Sequence, residues 1–255
     1  MSLLRAEVRK LGRRKLYPTM VAVLAIFTLM AAFFLLLFAE IFPSAGDQGM
    51  PTITKPDAYE FGITQIASQA WFPMLLAAVA MGSELGGTVW ATALTRESSV
   101  LRHVGARLLA YIVAAWVAYL VAIGVWSVFT YFFAEGTGGP EATVWLDHFW
   151  KLGVVAAAWS ALGLGAVSML RSVGPAIGAV LGFYFFESLI SLWDPYEAIS
   201  ATAASTAIFG IEIPPGFEDF VPGGSMTVAH ASLVLAGWTV VGFLLTWWGL
   251  RRRDA

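Results

Sequence analysis

Six apolar runs, each long enough to cross a bilayer as a helix, divide the 255-residue chain at approximately 17–42, 63–85, 106–133, 149–170, 174–193 and 226–250. A hydrocarbon core takes roughly 20 helical residues to cross, and inside it every backbone N–H and C=O must be satisfied by the protein. Uninterrupted apolar runs meet that demand as helices, so the expected fold is an all-α membrane protein with six transmembrane helices. Composition agrees: 58% of residues are hydrophobic and 13% charged, whereas about a quarter are charged in an ordinary soluble domain. Cysteine is absent, which removes disulfides and thiolate sites. The first run is too long, and lacks a small-residue cleavage site behind a short apolar core, to be a removable signal; it is expected to be retained.

Lys and Arg near span ends are held on the cytoplasmic side. Arg5, Arg9, Lys10, Arg13, Arg14 and Lys15 precede the first run; Arg96, Arg102 and Arg107 follow the second; Arg171 follows the fourth; Arg251, Arg252 and Arg253 follow the sixth. Thirteen of the 15 basic residues therefore share one face, leaving Lys55 and Lys151 opposite. Both termini are expected to be cytoplasmic, in a multi-pass protein of the cell (plasma) membrane. Trp126, Trp145, Trp150 and Trp193 near the outer interface, and Trp90, Trp247 and Trp248 near the inner one, fit the same topology.

Outside the spans, two further elements are expected. Leu4, Val8 and Leu11 recur at helical spacing among Arg5, Arg9, Lys10, Arg13 and Arg14, so 1–16 reads as a basic amphipathic helix lying along the inner leaflet, with Pro18 suited to the turn that follows. The remainder, 17–255, forms the six-span domain. Within it, the small-residue stretch at about 195–210 is too short to span and suits a re-entrant or interfacial helix before the last span.

Several chemistries lack their residues. There is no Gly-rich loop followed by Lys and Ser or Thr for phosphate, no HExxH and no Gly-x-Ser-x-Gly, and His103, His148 and His230 are far apart. No metal site and no catalytic residue are expected on this chain. Membrane lipid is its expected environment, and no nucleic-acid partner is expected.

Polar groups within spans are costly and mark either function or packing. Glu187, in a Phe-rich setting that includes Phe183, is the one carboxylate well inside a span; it reads as a substrate-pathway or proton-linked residue, or as a carboxylate bonded to a neighbouring helix. Gln65, Gln69 and Trp71 precede Pro73, which should bend or loosen the second span beside them, and these too are pathway candidates. Gly174, Gly178 and Gly182 repeat every fourth residue and offer a smooth stripe, either for packing within the chain or as a seam between two copies.

Between the second and third spans lies a charged elbow, a cytoplasmic segment at about 86–105. It carries Glu84 before it, then Gly87-Thr88, Leu94-Thr95-Arg96, Glu97, Ser99 and Arg102, with Arg107 opening the next span. The order of these residues resembles that in the permease subunits of the ATP-binding-cassette (ABC) type-2 family, and the resemblance extends to the amphipathic N-terminal helix, the six spans and the small-residue segment before the last. Two positions depart from it: Val100 stands where Arg often follows the Ser, and Arg107 replaces the usual Lys.

The resemblance implies a cytoplasmic helix that docks on a separate ATPase subunit, with Glu84, Gly87, Thr88, Arg96, Glu97, Ser99, Arg102 and Arg107 as the ATPase-coupling residues. It further implies two copies of that ATPase, which would hold ATP and Mg, and a second permease subunit forming a homodimer or heterodimer. The expected function is then export of a hydrophobic or amphipathic substrate such as a drug, peptide antibiotic or lipid. The alternatives are a proton-coupled secondary transporter using Glu187, or a membrane-embedded enzyme or scaffold.

Overall fold

The computed structural model describes residues 3–41, 55–85, 99–133, 142–210 and 226–252. Among these the secondary structure is helical, without strands: α1 (Leu3–Arg13), α2 (Leu16–Ile41), α3 (Lys55–Ser68), α4 (Trp71–Leu85), α5 (Val100–Phe133), α6 (Ala142–Leu170), α7 (Val173–Ile190), α8 (Asp194–Glu197), α9 (Ala201–Ala207) and α10 (Val228–Arg251). Five of them, α2, α5, α6, α7 and α10, are long and apolar enough to cross a membrane.

The second expected span, 63–85, is not one helix. It divides into α3 and α4 at Gln69 and Ala70, and α4 has only 15 residues. Pro73 explains the position of the break. In a continuous helix its ring would meet the carbonyl of Gln69, four residues back, and it could offer that carbonyl no N–H. Placed instead in the first turn of α4, it loses no hydrogen bond, because donors there have no intrahelical partner. The carbonyls released by the break find other donors: Gln69 C=O accepts from Phe72 N–H at 3.0 Å and from the Tyr119 hydroxyl at 3.3 Å, and Ser68 C=O accepts from the Tyr184 hydroxyl at 2.9 Å.

Despite its length, α4 lies at the centre. Eleven of its 15 residues are buried, among them Phe72, Met74, Leu76 and Met81. It packs on α2, α5, α6 and α7, and α6 in turn carries the most extensive contact in the molecule, against α10. Glycine makes both approaches to α6 possible. A Cβ at Gly163 would sit 2.1 Å from the Met74 carbonyl oxygen of α4, and one at Gly242 of α10 would sit 2.4 Å from the Ala161 carbonyl carbon. Gly249, two turns after Gly242, would likewise press a Cβ to 2.9 Å from Ser168 backbone. Close backbone approach at small residues is the packing mode expected where lipid removes the hydrophobic drive between helices.

The stripe of Gly174, Gly178 and Gly182 is placed differently. All three are exposed, and a Cβ at any of them meets no atom within 4 Å among the described residues.

Candidate functional site

At the end of the bundle that carries the N-terminus, α1 brings a row of polar side chains against α4 and α5. The helix stops at Arg13, its Leu11 is buried, and Leu4 and Val8 remain exposed. The Glu84 carboxylate, at the C-terminal end of α4 and 2% exposed, receives three cations: Lys10 Nζ at 2.6 Å, Arg14 Nη2 at 3.1 Å and Arg107 Nη2 at 2.7 Å. Arg107, equally buried, also reaches Glu7 Oε1 through Nε at 3.4 Å. Arg14 further donates to Ser83 Oγ at 3.0 Å and to Ala80 C=O at 3.4 Å, close to the last turn of α4 where a positive charge is favoured by the helix dipole. Three cations and two carboxylates thus tie α1, α4 and α5 together.

Desolvation governs the energetics of such a cluster. A buried pair gains little over apolar packing of the same shape, but removing one partner strands a charge and costs about 3–5 kcal/mol. The hub is therefore intolerant of single changes at buried Glu84 and Arg107, whatever its net contribution. Next to it, α5 begins at a local cap: Ser99 Oγ accepts from Arg102 N–H at 3.4 Å, and Ser99 C=O from His103 N–H at 3.2 Å.

Of the residues singled out for coupling, Glu84 and Arg107 meet directly, while Ser99 and exposed Arg102 stand at the entrance to α5. Gly87, Thr88, Arg96 and Glu97 lie outside the described residues. Lys10 and Arg14 complete the cluster, and sequence reasoning treated them only as members of a basic face. The available signal was Glu7, an acidic residue in an otherwise basic helix, one turn before Lys10.

At the opposite end, Glu187 is 1% exposed and its carboxylate sits at the start of α9. Oε1 accepts from Ser200 Oγ at 2.8 Å and from Ala201 N–H at 2.7 Å, and Oε2 from Thr202 N–H at 3.1 Å. Ser200 Oγ in turn accepts from Ala203 N–H at 3.0 Å as the N-cap. Beyond the other end of α9, buried Lys151 of α6 donates to Phe209 C=O at 3.5 Å and pairs with Asp147 one turn earlier. The segment at about 195–210 thus holds two short helices, α8 and α9. Burial, and then the neighbouring Glu187 carboxylate, push the Tyr196 phenol of α8 above its ordinary value, so it stays protonated through neutral pH.

The other pathway candidates fall into two groups. Gln69 is half-buried at the break, its Oε1 without a partner among the described residues, and Gln65 lies one turn earlier. Phe183 packs against Trp159 and Trp238, with ring centroids 6.2 and 6.0 Å apart, and its neighbour Tyr184 closes on the break through Ser68. Trp159 links this group to α9 by donating to Ser205 Oγ at 2.9 Å. Trp71 turns elsewhere, edge-on to Phe27 of α2 at 5.3 Å.

No three His, Cys, Asp or Glu side chains among the described residues converge as a metal site would require. The sequence matches no protein-family model and no curated protein.

Proposed function

We propose that the chain is the transmembrane permease subunit of an ABC transporter of the type-2 family, exporting a hydrophobic or amphipathic substrate with energy from a separate ATPase. The observation that carries this reading is the 2.7 Å pair between Glu84 and Arg107, held together with Lys10 of α1. Glu84 and Arg107 are the first and last residues of the pattern on which the resemblance rests. The charged elbow at about 86–105 follows one member of this ionic cluster, Glu84, and precedes another, Arg107. A push on that elbow would reach α4, α5 and α1 as a rigid-body displacement rather than dissipate in one loop.

In this reading α3 and α4 together make the sixth crossing, α1 lies along the inner leaflet of the plasma membrane, and both termini are cytoplasmic. A second permease subunit and two ATPases, which bind ATP and Mg, complete the transporter. Proton coupling through Glu187 draws less support, because both carboxylate oxygens are engaged at α9.

The test is affinity purification of the tagged chain from its native membrane in mild detergent, with partner identification and reconstituted ATPase assays. An ABC ATPase should co-purify, and Glu97→Arg combined with Arg102→Glu should uncouple hydrolysis from transport while the membrane subunit stays folded. Absence of an ATPase partner, or unchanged coupling in the double variant, overturns the proposal.

A further inference from the structure

One face of α10 carries Val241, Leu244, Leu245 and Trp248, the i, i+3, i+4, i+7 spacing that places four side chains in a single stripe. They line a shallow, open groove of about 400 Å³ along the helix face. At 1.5 Å per residue the stripe runs about 10 Å along the helix axis. All four side chains are exposed, from 37% at Leu245 to 51% at Leu244, in a helix apolar enough to cross a membrane.

The groove ends in positive charge. Arg252 stacks its guanidinium on the Trp248 ring, 3.6 Å from the centroid, and Arg251 lies 5.3 Å from the Trp247 ring. Stacking spends the face of the guanidinium and leaves its edge, where the N–H donors lie, directed away from the ring. Among the described residues, two guanidinium groups thus stand at the C-terminal end of α10, where positive charge is favoured by the helix dipole. Two cations therefore stand at one end of an apolar face on a helix long and apolar enough to cross a membrane.

We propose that this face of α10 binds one phospholipid with an anionic headgroup, its phosphate on Arg252 and Arg251 and an acyl chain along Val241, Leu244, Leu245 and Trp248. An apolar body with a negative head at one end is the shape and charge the surface complements. A soluble anion would use the arginines without the groove, and an apolar protein segment would use the groove without the arginines. Trp248 joins the two halves, lining the groove and supporting the cation.

The experiment is native mass spectrometry of the purified full chain, delipidated and then re-equilibrated with mixed micelles containing equal parts phosphatidylglycerol and phosphatidylcholine. The wild type should retain phosphatidylglycerol preferentially. Arg251→Gln with Arg252→Gln should weaken that retention on the order of tenfold, as expected for loss of charge-assisted hydrogen bonds. Leu244→Trp, which fills the groove and leaves both arginines, should lower retention of the lipid without changing binding of inorganic phosphate. Arg5→Gln with Arg9→Gln, which removes the same charge from exposed positions on α1, should weaken retention much less than the α10 pair. Equal retention of both lipids by the wild type, or equal losses in the α10 and α1 arginine pairs, overturns the proposal and leaves only non-selective lipid contact. Dimerisation that Leu244→Trp abolishes would assign the groove to a second copy of the chain and overturn it as well.

Discussion

Glu187 and Lys151 hold opposite ends of one short helix. The carboxylate accepts from Ala201 N–H at 2.7 Å at the start of α9, and the ammonium donates to Phe209 C=O at 3.5 Å just past its end. Each charge complements the helix dipole where it sits, negative at the N-terminus and positive near the C-terminus. Seven residues are too few to hold a helix without such help.

Glu187→Ala should therefore lower stability by about 2–4 kcal/mol, because buried donors at Ser200, Ala201 and Thr202 lose their acceptor. Glu187→Gln keeps one carbonyl acceptor and should lose about half as much. Thermal unfolding in detergent measures the global effect, and hydrogen exchange over 200–209 should rise first. Full stability of Glu187→Ala would refute this clamp and return Glu187 to the pathway.

The Glu84 hub makes a prediction of opposite form. Glu84→Gln leaves buried Arg107 without its 2.7 Å partner and should cost about 3–5 kcal/mol. Adding Arg107→Met removes the buried guanidinium, which in the single variant still pairs with Glu7 at 3.4 Å, and should recover part of the loss. Denaturation of both variants, with a spin label on exposed Arg5 to follow α1, provides the measurement. A double variant as unstable as the sum of the single changes would mean that Glu84 and Arg107 act independently.

Glycine substitutions separate the seam used inside the chain from the stripe left open. Gly242→Ala puts a methyl group 2.4 Å from the backbone of Ala161, and Gly163→Ala puts one 2.1 Å from the Met74 carbonyl. Each should cost about 1–3 kcal/mol or more, as overpacking does. Gly178→Leu meets open space among the described residues and should leave monomer stability within about 0.5 kcal/mol. If it instead abolishes self-association of a folded chain, the stripe is a seam between copies; unfolding of the monomer would contradict the packing described for α7.

These contrasts explain which features were legible in the sequence. Five spans were legible because length and hydropathy are local properties, and the break before α4 was signalled by Pro73. The short helix before the last span was visible as a small-residue stretch. Its two clamps were not, because Glu187 and Lys151 bind groups presented by residues at least 13 positions away. The glycines that pack inside the chain were not legible, for a related reason. Gly174, Gly178 and Gly182 are periodic on one helix, whereas the working seam pairs Gly165 of α6 with Gly242 of α10, and only the fold brings those helices together. Glu84 and Arg107 were legible as motif positions, but Lys10 and Arg14 joined them only once α1 was placed.

The helix break offers the most discriminating experiment. Tyr184→Phe removes the donor to Ser68 C=O and should cost about 0.5–1 kcal/mol, typical of hydrogen bonds between membrane helices. Pro73→Ala restores an N–H and removes the ring that opposes the Gln69 carbonyl, so α3 and α4 can join; Ser68 C=O then takes Phe72 N–H as its helical partner. In that background the Tyr184 hydroxyl has nothing left to satisfy, and Tyr184→Phe should be nearly neutral. A double-mutant cycle on unfolding free energy should thus show coupling of about 0.5 kcal/mol or more between positions 73 and 184, although they lie on different helices. Strict additivity would mean that the Tyr184 hydroxyl does not support the break, and hydrogen exchange at residues 70–74 would then be unaffected by Tyr184→Phe.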